Sequence, residues 1–396
     1  MDNNKGRLAT LLRCCMCIGG AMGMVSNCIG IYFTPLAKAL DIGVGRISVI
    51  VTLISLGNAF FAPFFVRLRK GFPLNRIMAG GIILCILAYL LLSVAGSIWT
   101  LYLCGILFGI GMCNFSALPV TLILRDWYGD KNGSAVGAAL AFSGVFGAVM
   151  NPILSRLISS LSYQTSLRLM ALFLAVAVLP CALTLRLRGE KNASAGTAPV
   201  QNQTPKSPPV PLPTIIVLFS TCVCFCTLCG MNQHFSALAV SQGYSLEASA
   251  TVLTCSMIGN IIFKLCYGFA SDRVNPILVS IVWAIIGTVG TCLILLFAAN
   301  GLLIRTGAAM YGSFFSLSTV ALSMLTQKVA GDRYAEVYSK LVIFTSTAYA
   351  LSVSLYGLFY DLTGSYRPAL IFIIVMALSS IVLSLLLKKK TDVKSV

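Results

Sequence analysis

Long apolar segments recur along the whole chain and limit its fold more than any other feature. Each is about 20 residues long, which is the length that crosses a bilayer core as a helix. A chain that is 58% hydrophobic and 10% charged is too apolar for a soluble globular protein. These features exclude a water-soluble enzyme, a secreted disulfide scaffold and a disordered protein. The segments lie near residues 12–36, 46–66, 74–95, 98–122, 133–157, 166–185, 214–236, 248–270, 275–298, 302–326, 338–359 and 367–387.

The bilayer also restricts the secondary structure of these segments. Backbone polar groups find no water in the hydrocarbon core, so only helices and closed barrels cross it. Barrel strands are short and alternate apolar with polar residues, whereas these segments are long and uniformly apolar. The sequence therefore predicts an all-α membrane protein with twelve transmembrane helices, called here spans one to twelve.

The charges of the chain indicate how it is oriented in the membrane. There are 28 Lys and Arg residues against 11 Asp and Glu residues, which gives a net charge of +17. With the N-terminus inside, 21 of the 28 basic residues fall in inner connectors and chain ends, as the positive-inside rule requires. We expect a multi-pass protein of the cell (cytoplasmic) membrane with both termini cytoplasmic. Its basic loops are expected to contact anionic lipids, and no nucleic-acid partner is expected.

The longest connector divides the spans into two sets of six. Residues 186–213 contain six prolines, which favour an extended, semi-rigid spacer. We therefore predict a first six-helix bundle at 1–185, a cytoplasmic Pro-rich linker at 186–213 and a second six-helix bundle at 214–396.

The two halves of the chain resemble each other. A shift of 202 residues superposes Phe33 on Phe235, and it places Gly57-Asn58 on Gly259-Asn260. The pattern predicts two pseudo-symmetric bundles. Parallel repeats of this kind are a transporter architecture, in which the substrate site lies at the repeat interface.

Lys264 is the most informative polar residue within a span, since polar groups in the membrane are costly and usually functional. It lies eight residues before Asp272, about 12 Å from the predicted cytoplasmic end of span eight. Asn260, Lys264 and Gly268 share one helical face. An ammonium in a dry cavity attracts a carboxylate. The alternative is a lysine that caps a neighbouring helix or reaches lipid phosphates.

Several other polar residues are candidates for substrate contact. Arg305 lies about one turn inside span ten and either binds a second carboxylate group or extends to the interface. His234 is expected to be an interfacial, hydrogen-bonded histidine rather than a proton relay. The remaining candidates bind a carboxylate or hydroxyl, or else bond to neighbouring helices: Asn27, Tyr32, Asn58, Asn114, Gln233 and Asn260.

For the cysteines and for two charged residues we prefer a structural role to a functional one. Cys222, Cys226 and Cys229 share a helical face, so a soft-metal site is conceivable, but apolar packing is the preferred interpretation. No metal and no cofactor are expected. Glu336 and Lys340 have the i,i+4 spacing of a surface ion pair.

Two loop motifs and three longer stretches carry a resemblance to a known family. GFASDR (268–273) follows span eight, and a degenerate counterpart with Val66 in place of an Asp follows span two. With twelve spans and a long central loop, the chain resembles the major facilitator superfamily. Within it, the chain looks most like the oxalate:formate antiporter and monocarboxylate transporter group. The stretches that carry this likeness are 31–48, 127–137 and 360–370.

The resemblance implies roles for particular residues. A cation in span eight binds the substrate carboxylate in this group, and Lys264 stands where an Arg is common. Asn260 stands where some relatives have a proton-coupling Asp. Gly268, Asp272 and Arg273 correspond to the gating loop. The second cation that antiporters of the group place in span eleven has no match, since Lys340 lies about one turn too early.

No Asp or Glu falls inside the predicted spans, although proton-coupled transporters usually carry one. We therefore expect a monomeric secondary transporter of small organic anions, mono- or dicarboxylates, that works by anion exchange or facilitated transport. Lys264 would pair with the carboxylate, and Asn260 and Tyr32 would orient it. Export of drugs or other neutral or anionic solutes, and proton-linked carboxylate symport, are the alternatives. A counter-anion or proton would be the coupled partner, and an enzyme is not expected.

Overall fold

The structure is a computed structural model that describes residues 2–69, 71–128, 133–187, 210–271 and 273–392. In these residues twelve helices are long and apolar enough to cross a membrane, so the predicted all-α architecture is confirmed. The helices are α1 Lys5–Leu40, α2 Val44–Phe65, α3 Leu74–Ser93, α4 Ile98–Tyr128, α5 Ala135–Ser160, α6 Tyr163–Thr184, α7 Leu212–Ser241, α8 Leu246–Ser271, α9 Pro276–Phe297, α10 Gly301–Ala330, α11 Glu336–Thr363 and α12 Arg367–Thr391.

Most helices extend beyond the apolar segments that predicted them, because a helix can continue past the membrane core with polar side chains in solvent. Four carboxylates consequently lie inside the twelve helices but outside the predicted spans, which themselves contain none. All four occupy first or last turns and are exposed: Asp126, Glu247, Glu336 and Asp361. Among the described residues, the central turns of the helices carry no carboxylate.

The chain forms two compact units, Met1–Val200 and Gln201–Val396. The predicted linker lies mostly outside the described residues. In the first unit α2 packs against α4, α3 against α4 and α6, and α1 against α5. In the second unit α8 packs against α10, α9 against α10 and α12, and α7 against α11. Each pairing recurs six helices later, which supports the internal repeat seen in the sequence.

The first helix of each unit is interrupted at the same point. In α1 a 3₁₀ segment, Ile29–Tyr32, precedes a helical segment that restarts at Phe33. In α7 the 3₁₀ segment Cys229–His234 precedes a restart at Phe235. Phe33 and Phe235 are the residues that the 202-residue shift superposes. A change of helix type frees backbone carbonyls, which need other donors inside a membrane.

Tyrosine hydroxyls supply those donors at the interruption in α7. Tyr311 of α10 donates its hydroxyl proton to the Leu228 carbonyl, and Tyr356 of α11 donates to the Thr227 carbonyl over 2.8 Å. Both tyrosines are buried. The α7 interruption is therefore fixed by two neighbouring helices, and it holds the following polar residues in place.

Glycines bring the second and fourth helices of each unit into close contact. A Cβ on Gly57 of α2 would lie 3.3 Å from Gly109 Cα of α4. A Cβ on Gly259 of α8 would meet the Ala309 carbonyl of α10. Small residues permit this approach of helix backbones in membranes. Asn58 and Asn260 follow the two glycines, so both amides lie at helix crossings.

The outer surface and the helix ends are those of a membrane protein. Large apolar side chains are exposed to the surroundings, among them Trp99 and Leu362, and such exposure is typical of a surface that faces lipid. At the start of α11, Glu336 pairs with Arg333 over 2.8 Å and with Lys340 over 3.1 Å. The predicted surface pair is confirmed.

Candidate functional site

Lys264 occupies α8 seven residues before the end of the helix at Ser271, or about 10 Å at the rise of a helix. The residue is half-buried. Its ammonium lies 6.0 Å from the centre of the Phe315 ring on α10, at the limit of a cation–π contact. No carboxylate of the described residues pairs with it. A partly desolvated cation without a counter-ion is a favourable site for a bound anion.

Residues of α7 and α10 lie near this ammonium. Cys229 of α7 lies near Lys264, and its thiol donates to the Phe314 carbonyl of α10 over 3.4 Å. Gln233, one turn after Cys229, donates from Nε2 to the Tyr349 hydroxyl of α11 over 3.1 Å. The surroundings of Lys264 thus involve α7, α8 and α10 of the second unit, and Gln233 joins α7 to α11.

Two buried amides lie on the side of Lys264 toward the start of α8, one on α8 itself and one on α7 opposite Ser256. Ser256 of α8 donates its hydroxyl proton to Asn232 Oδ1 of α7 over 2.8 Å. Asn260 follows Ser256 by one turn and precedes Lys264 by one turn. Asn232 is 1% exposed and Asn260 is 3% exposed. Asn232 Nδ2 and Asn260 Oδ1 have no hydrogen-bond partner among the described residues.

Asn232 was not predicted from the sequence as a site residue. The signal that could have identified it is the run Asn232-Gln233-His234, three consecutive polar residues inside an otherwise apolar segment. Only the 3₁₀ geometry of Cys229–His234 shows which of the three turns toward α8.

Arg305 and His234 form helix-to-helix contacts. Arg305 of α10 donates from Nε to Thr251 Oγ1 of α8 over 2.8 Å. His234 donates from Nε2 to the Val353 carbonyl over 2.8 Å, and its Nδ1 lies 3.2 Å from the Tyr366 hydroxyl. His234 is fully buried within the second unit, and it is hydrogen-bonded as predicted. Beyond His234, α7 continues to Ser241 rather than ending near 236.

The other candidates lie in the first unit. The Tyr32 and Ser166 hydroxyls are 2.7 Å apart and buried. Asn27 donates from Nδ2 to the Ser143 carbonyl over 3.1 Å. Asn114 donates from Nδ2 to the Ile110 carbonyl over 2.9 Å, and its Oδ1 has no partner in the described part of the chain. The structure thus places Tyr32, Asn58 and Asn114 in one unit, and Lys264, Asn260, Gln233 and Arg305 in the other.

A second polar pair in the first unit was also missed by the sequence interpretation. Asn151 and Ser155 are one turn apart on α5 and fully buried. Neither the Asn151 amide nor the Ser155 hydroxyl has a hydrogen-bond partner among the residues described.

The loop motif after α8 is described only in part, because Asp272 lies outside the described residues. A Cβ on Gly268 would meet no atom within 4 Å. The Arg273 guanidinium lies 3.5 Å from the centre of the Phe269 ring. In the first unit Arg67 lies 5.4 Å from the centre of the Phe64 ring. In each unit an arginine therefore lies over a phenylalanine ring near the end of the second helix.

The α7 cysteines contribute to packing. Cys226 donates to the Ser318 carbonyl over 3.8 Å, and Cys229 donates to Phe314 as described above. Within the described ranges, no group of three His, Cys, Asp or Glu side chains could hold a metal ion. The soft-metal interpretation of Cys222, Cys226 and Cys229 thus gains no support.

Comparison with known proteins decides the family. The sequence profile of the Major Facilitator Superfamily matches residues 15–338. The chain belongs to the Major Facilitator Superfamily. Rat monocarboxylate transporter 13 is 23% identical over 354 residues, which cover 88% of this chain and 81% of that protein. The MFS-type transporter hasB of Aspergillus fumigatus is 24% identical over 225 residues, 54% of this chain and 50% of that protein.

Solved structures of transporters share the fold of this superfamily member. The nucleoside transporter NupG superposes with a TM-score of 0.73 at 11% identity, over 97% of this chain and 98% of that one. A bacterial homologue of the human lysosomal transporter Spinster superposes with a TM-score of 0.71 at 13% identity, over 99% and 98% of the two chains. The family and the fold are those of multi-pass membrane transporters.

Proposed function

We propose that this major facilitator protein carries small organic anions, mono- or dicarboxylates, across the cell membrane by anion exchange or facilitated transport. The observation that carries the proposal is the Lys264 ammonium, which is half-buried, faces an aromatic ring and has no carboxylate partner among the described residues. A substrate carboxylate would supply the missing counter-charge and offset the desolvation of the ammonium.

The distribution of acidic residues supports an anionic substrate. The carboxylates that lie in described helices are exposed and confined to terminal turns. A binding site for an organic cation normally offers an acidic side chain, and proton coupling normally uses a titrating carboxylate within the membrane. Exchange or facilitated transport of an anion requires neither group.

The similarity to rat monocarboxylate transporter 13 supports the same substrate class. It extends over most of both chains, whereas the likeness to the nucleoside transporter is one of fold. We therefore favour a carboxylate over a nucleoside or a neutral drug as the substrate.

Counterflow in proteoliposomes tests the proposal. Vesicles are preloaded with unlabelled acetate, lactate, oxalate or succinate, and uptake of the same labelled acid is measured at equal pH on both sides. We expect counterflow of at least one acid. Lys264→Ala should reduce it to the level of empty vesicles, and Lys328→Ala, an exposed lysine of α10, should leave it unchanged.

Two results would contradict the proposal. The substrate class is wrong if no carboxylate shows counterflow while folded protein is present in the vesicles. The exchange mechanism is wrong if uptake follows an imposed pH gradient without any counter-anion, since that behaviour identifies proton-linked symport.

A further inference from the structure

An aromatic groove lies where α2 ends and the turn toward α3 begins. It belongs to the first unit, whereas Lys264 belongs to the second. Its volume is about 380 Å³, and Phe64 and Phe72 are 52% and 58% exposed, so the groove is open to its surroundings. Exposed aromatic rings around a cavity are typical of a binding surface. The lining is apolar apart from one guanidinium and consists of Phe61, Phe64, Arg67, Leu68, Gly71 and Phe72.

Contacts within the chain set the shape of this aromatic groove. The Phe61 and Phe64 rings are stacked, with their centres 5.7 Å apart and their planes at 21°. On the other side, the backbone N–H groups of Gly71 and Phe72 donate to the Leu68 carbonyl over 3.1 and 3.0 Å. These bonds close the turn between α2 and α3. Because both sides of the groove are already ordered, a ligand loses little affinity to ordering them.

The charge around the aromatic groove is positive and unopposed. Arg67 lines the groove, and Arg69 and Arg76 belong to the same helix hairpin. The sequence contains no Asp or Glu from residue 42 to residue 125. No carboxylate pairs with any of these arginines in the ranges that the structure describes. An anionic group is therefore the complementary ligand, and a phosphate matches a guanidinium with two parallel hydrogen bonds.

The corresponding loop of the second unit differs in charge and in packing. There Asp272 precedes Arg273, where the first unit has Val66 before Arg67. The Arg273 guanidinium lies 3.5 Å from the centre of its neighbouring phenylalanine ring, whereas the Arg67 guanidinium lies 5.4 Å from the centre of its own. Arg67 is thus less closely covered and has no acidic neighbour in the sequence. The replacement of Asp by Val in the first loop leaves its arginine to an external anion.

The position of the groove along α2 indicates which anion this is. The apolar part of α2 ends at Phe65, and Arg67 follows two residues later. The end of an apolar span lies where acyl chains meet headgroups in a bilayer. A free phosphate would contact the arginine and leave the rings bare, and an uncharged acyl chain would cover the rings and leave the arginine unpaired. A phospholipid satisfies both.

We propose that the aromatic groove binds one anionic phospholipid. Its acyl chain packs on Phe64 and Phe72, and its phosphate pairs with Arg67. A lipid with a net negative charge is preferred to a zwitterionic one, because the cationic headgroup of the latter would lie among the arginines of the hairpin. The lipid is then a bound partner of the transporter, and its binding does not depend on which substrate is carried.

Native mass spectrometry of the purified protein in detergent tests the charged part of this site. The protein is titrated with phosphatidylglycerol and with phosphatidylcholine of identical acyl chains, and the affinity of the first bound lipid is measured. We expect phosphatidylglycerol to bind about 5-fold or more tighter than phosphatidylcholine. Arg67→Gln should reduce this ratio to below about 2-fold. Arg273→Gln is the matched control, since it removes the same charge from the second unit and should leave the ratio unchanged.

A second variant tests the apolar part of the site. Phe72 is exposed, so Phe72→Ser should fold. It should weaken the binding of both lipids by about 3-fold or more, with their ratio unchanged, because both acyl chains lose the same apolar contact. Glycerol 3-phosphate and inorganic phosphate, added at the concentration of the lipid, should not displace it.

Four results would overturn the proposal. Equal affinity for the two lipids in the unaltered protein shows that the site does not select charge. A ratio that Arg67→Gln leaves intact, or that Arg273→Gln lowers as much, shows a general surface attraction. Displacement by glycerol 3-phosphate or inorganic phosphate identifies a site for a free phosphate. A dimer that Phe72→Ser dissociates shows that a second copy of the chain, and not a lipid, covers the groove.

Discussion

Arg305 on α10 donates a hydrogen bond from Nε to Thr251 Oγ1 on α8, over 2.8 Å. This contact distinguishes the two cations that the sequence suggested for substrate binding. The Arg305 guanidinium already joins two helices of the second unit, whereas the Lys264 ammonium has no carboxylate partner among the described residues. The first prediction concerns this difference.

We expect Arg305→Gln and Thr251→Val to lower thermal stability by similar amounts, about 1 kcal/mol each, since both remove one hydrogen bond. The double variant should cost little more than either single variant, because the two residues share that bond. The KM for a transported carboxylate should stay within about twofold in every case. A KM raised more than about 10-fold by Arg305→Gln alone would place this residue in the substrate site instead.

The Phe315 ring should matter for substrate affinity. A cation–π contact contributes about 0.5–1 kcal/mol at exposed sites and more when desolvated, so Phe315→Leu should raise the KM by about 2- to 10-fold, with a maximal rate close to that of the unaltered protein. Phe315→Tyr keeps the ring and should behave like the original residue. Kinetics of counterflow measure both variants, and an unchanged KM in Phe315→Leu would show that the ring does not position the ammonium.

Adjacent glycines of α3 provide a test of the helix packing. A Cβ on Gly81 would lie 2.5 Å from the Gly111 carbonyl oxygen of α4, whereas a Cβ on Gly80 would meet no atom within 4 Å. Gly81→Ala should destabilise the protein by about 1–3 kcal/mol through overpacking. Gly80→Ala should be neutral or stabilising by up to about 1 kcal/mol, because alanine favours the helix. The melting temperatures of the two variants in detergent measure this difference in stability. Equal values would contradict the α3–α4 contact.

The architecture was predictable because the relevant signal is strong and local. A bilayer demands about 20 apolar residues per helix, and twelve such segments are plain in the sequence. The repeat was also visible, since Gly57 and Gly259 must both be small where two backbones meet. The helix ends were not predictable to the residue, as α7 shows by continuing to Ser241, because polar residues beyond the membrane core continue a helix without an apolar signal.

The site was predictable only in part. Lys264 and Asn260 stood out because charged and amide groups are rare within spans. The contact between Lys264 and Phe315 joins residues 51 positions apart, and no periodicity in one helix predicts it. Asn232 was missed for a related reason. Its orientation depends on the 3₁₀ interruption of α7, and Gly230 does not by itself indicate that change, because glycines such as Gly57 also lie in uninterrupted helices.

Membrane orientation remains a prediction from the basic residues, and reporter fusions test it. Alkaline phosphatase is active only outside the cytoplasm, and green fluorescent protein fluoresces when it folds inside. We expect phosphatase inserted at Gly243, between α7 and α8, to be active, and a fluorescent protein after Val396 to fluoresce. An active phosphatase at the C-terminus would invert the assigned orientation of every helix.

The most direct test of the central claim is carboxylate binding to the purified protein with and without the Lys264 ammonium. Unfolding temperatures are measured in detergent with sodium lactate or sodium oxalate, and with sodium chloride at equal ionic strength. A ligand at about ten times its Kd stabilises the folded state by about 1.4 kcal/mol, so at least one acid should raise the midpoint of the unaltered protein and of Lys328→Gln by about 1 °C or more. Lys264→Gln should unfold at the same temperature in carboxylate and in chloride. An equal carboxylate-dependent rise in Lys264→Gln would contradict the account, because the anion would then bind elsewhere.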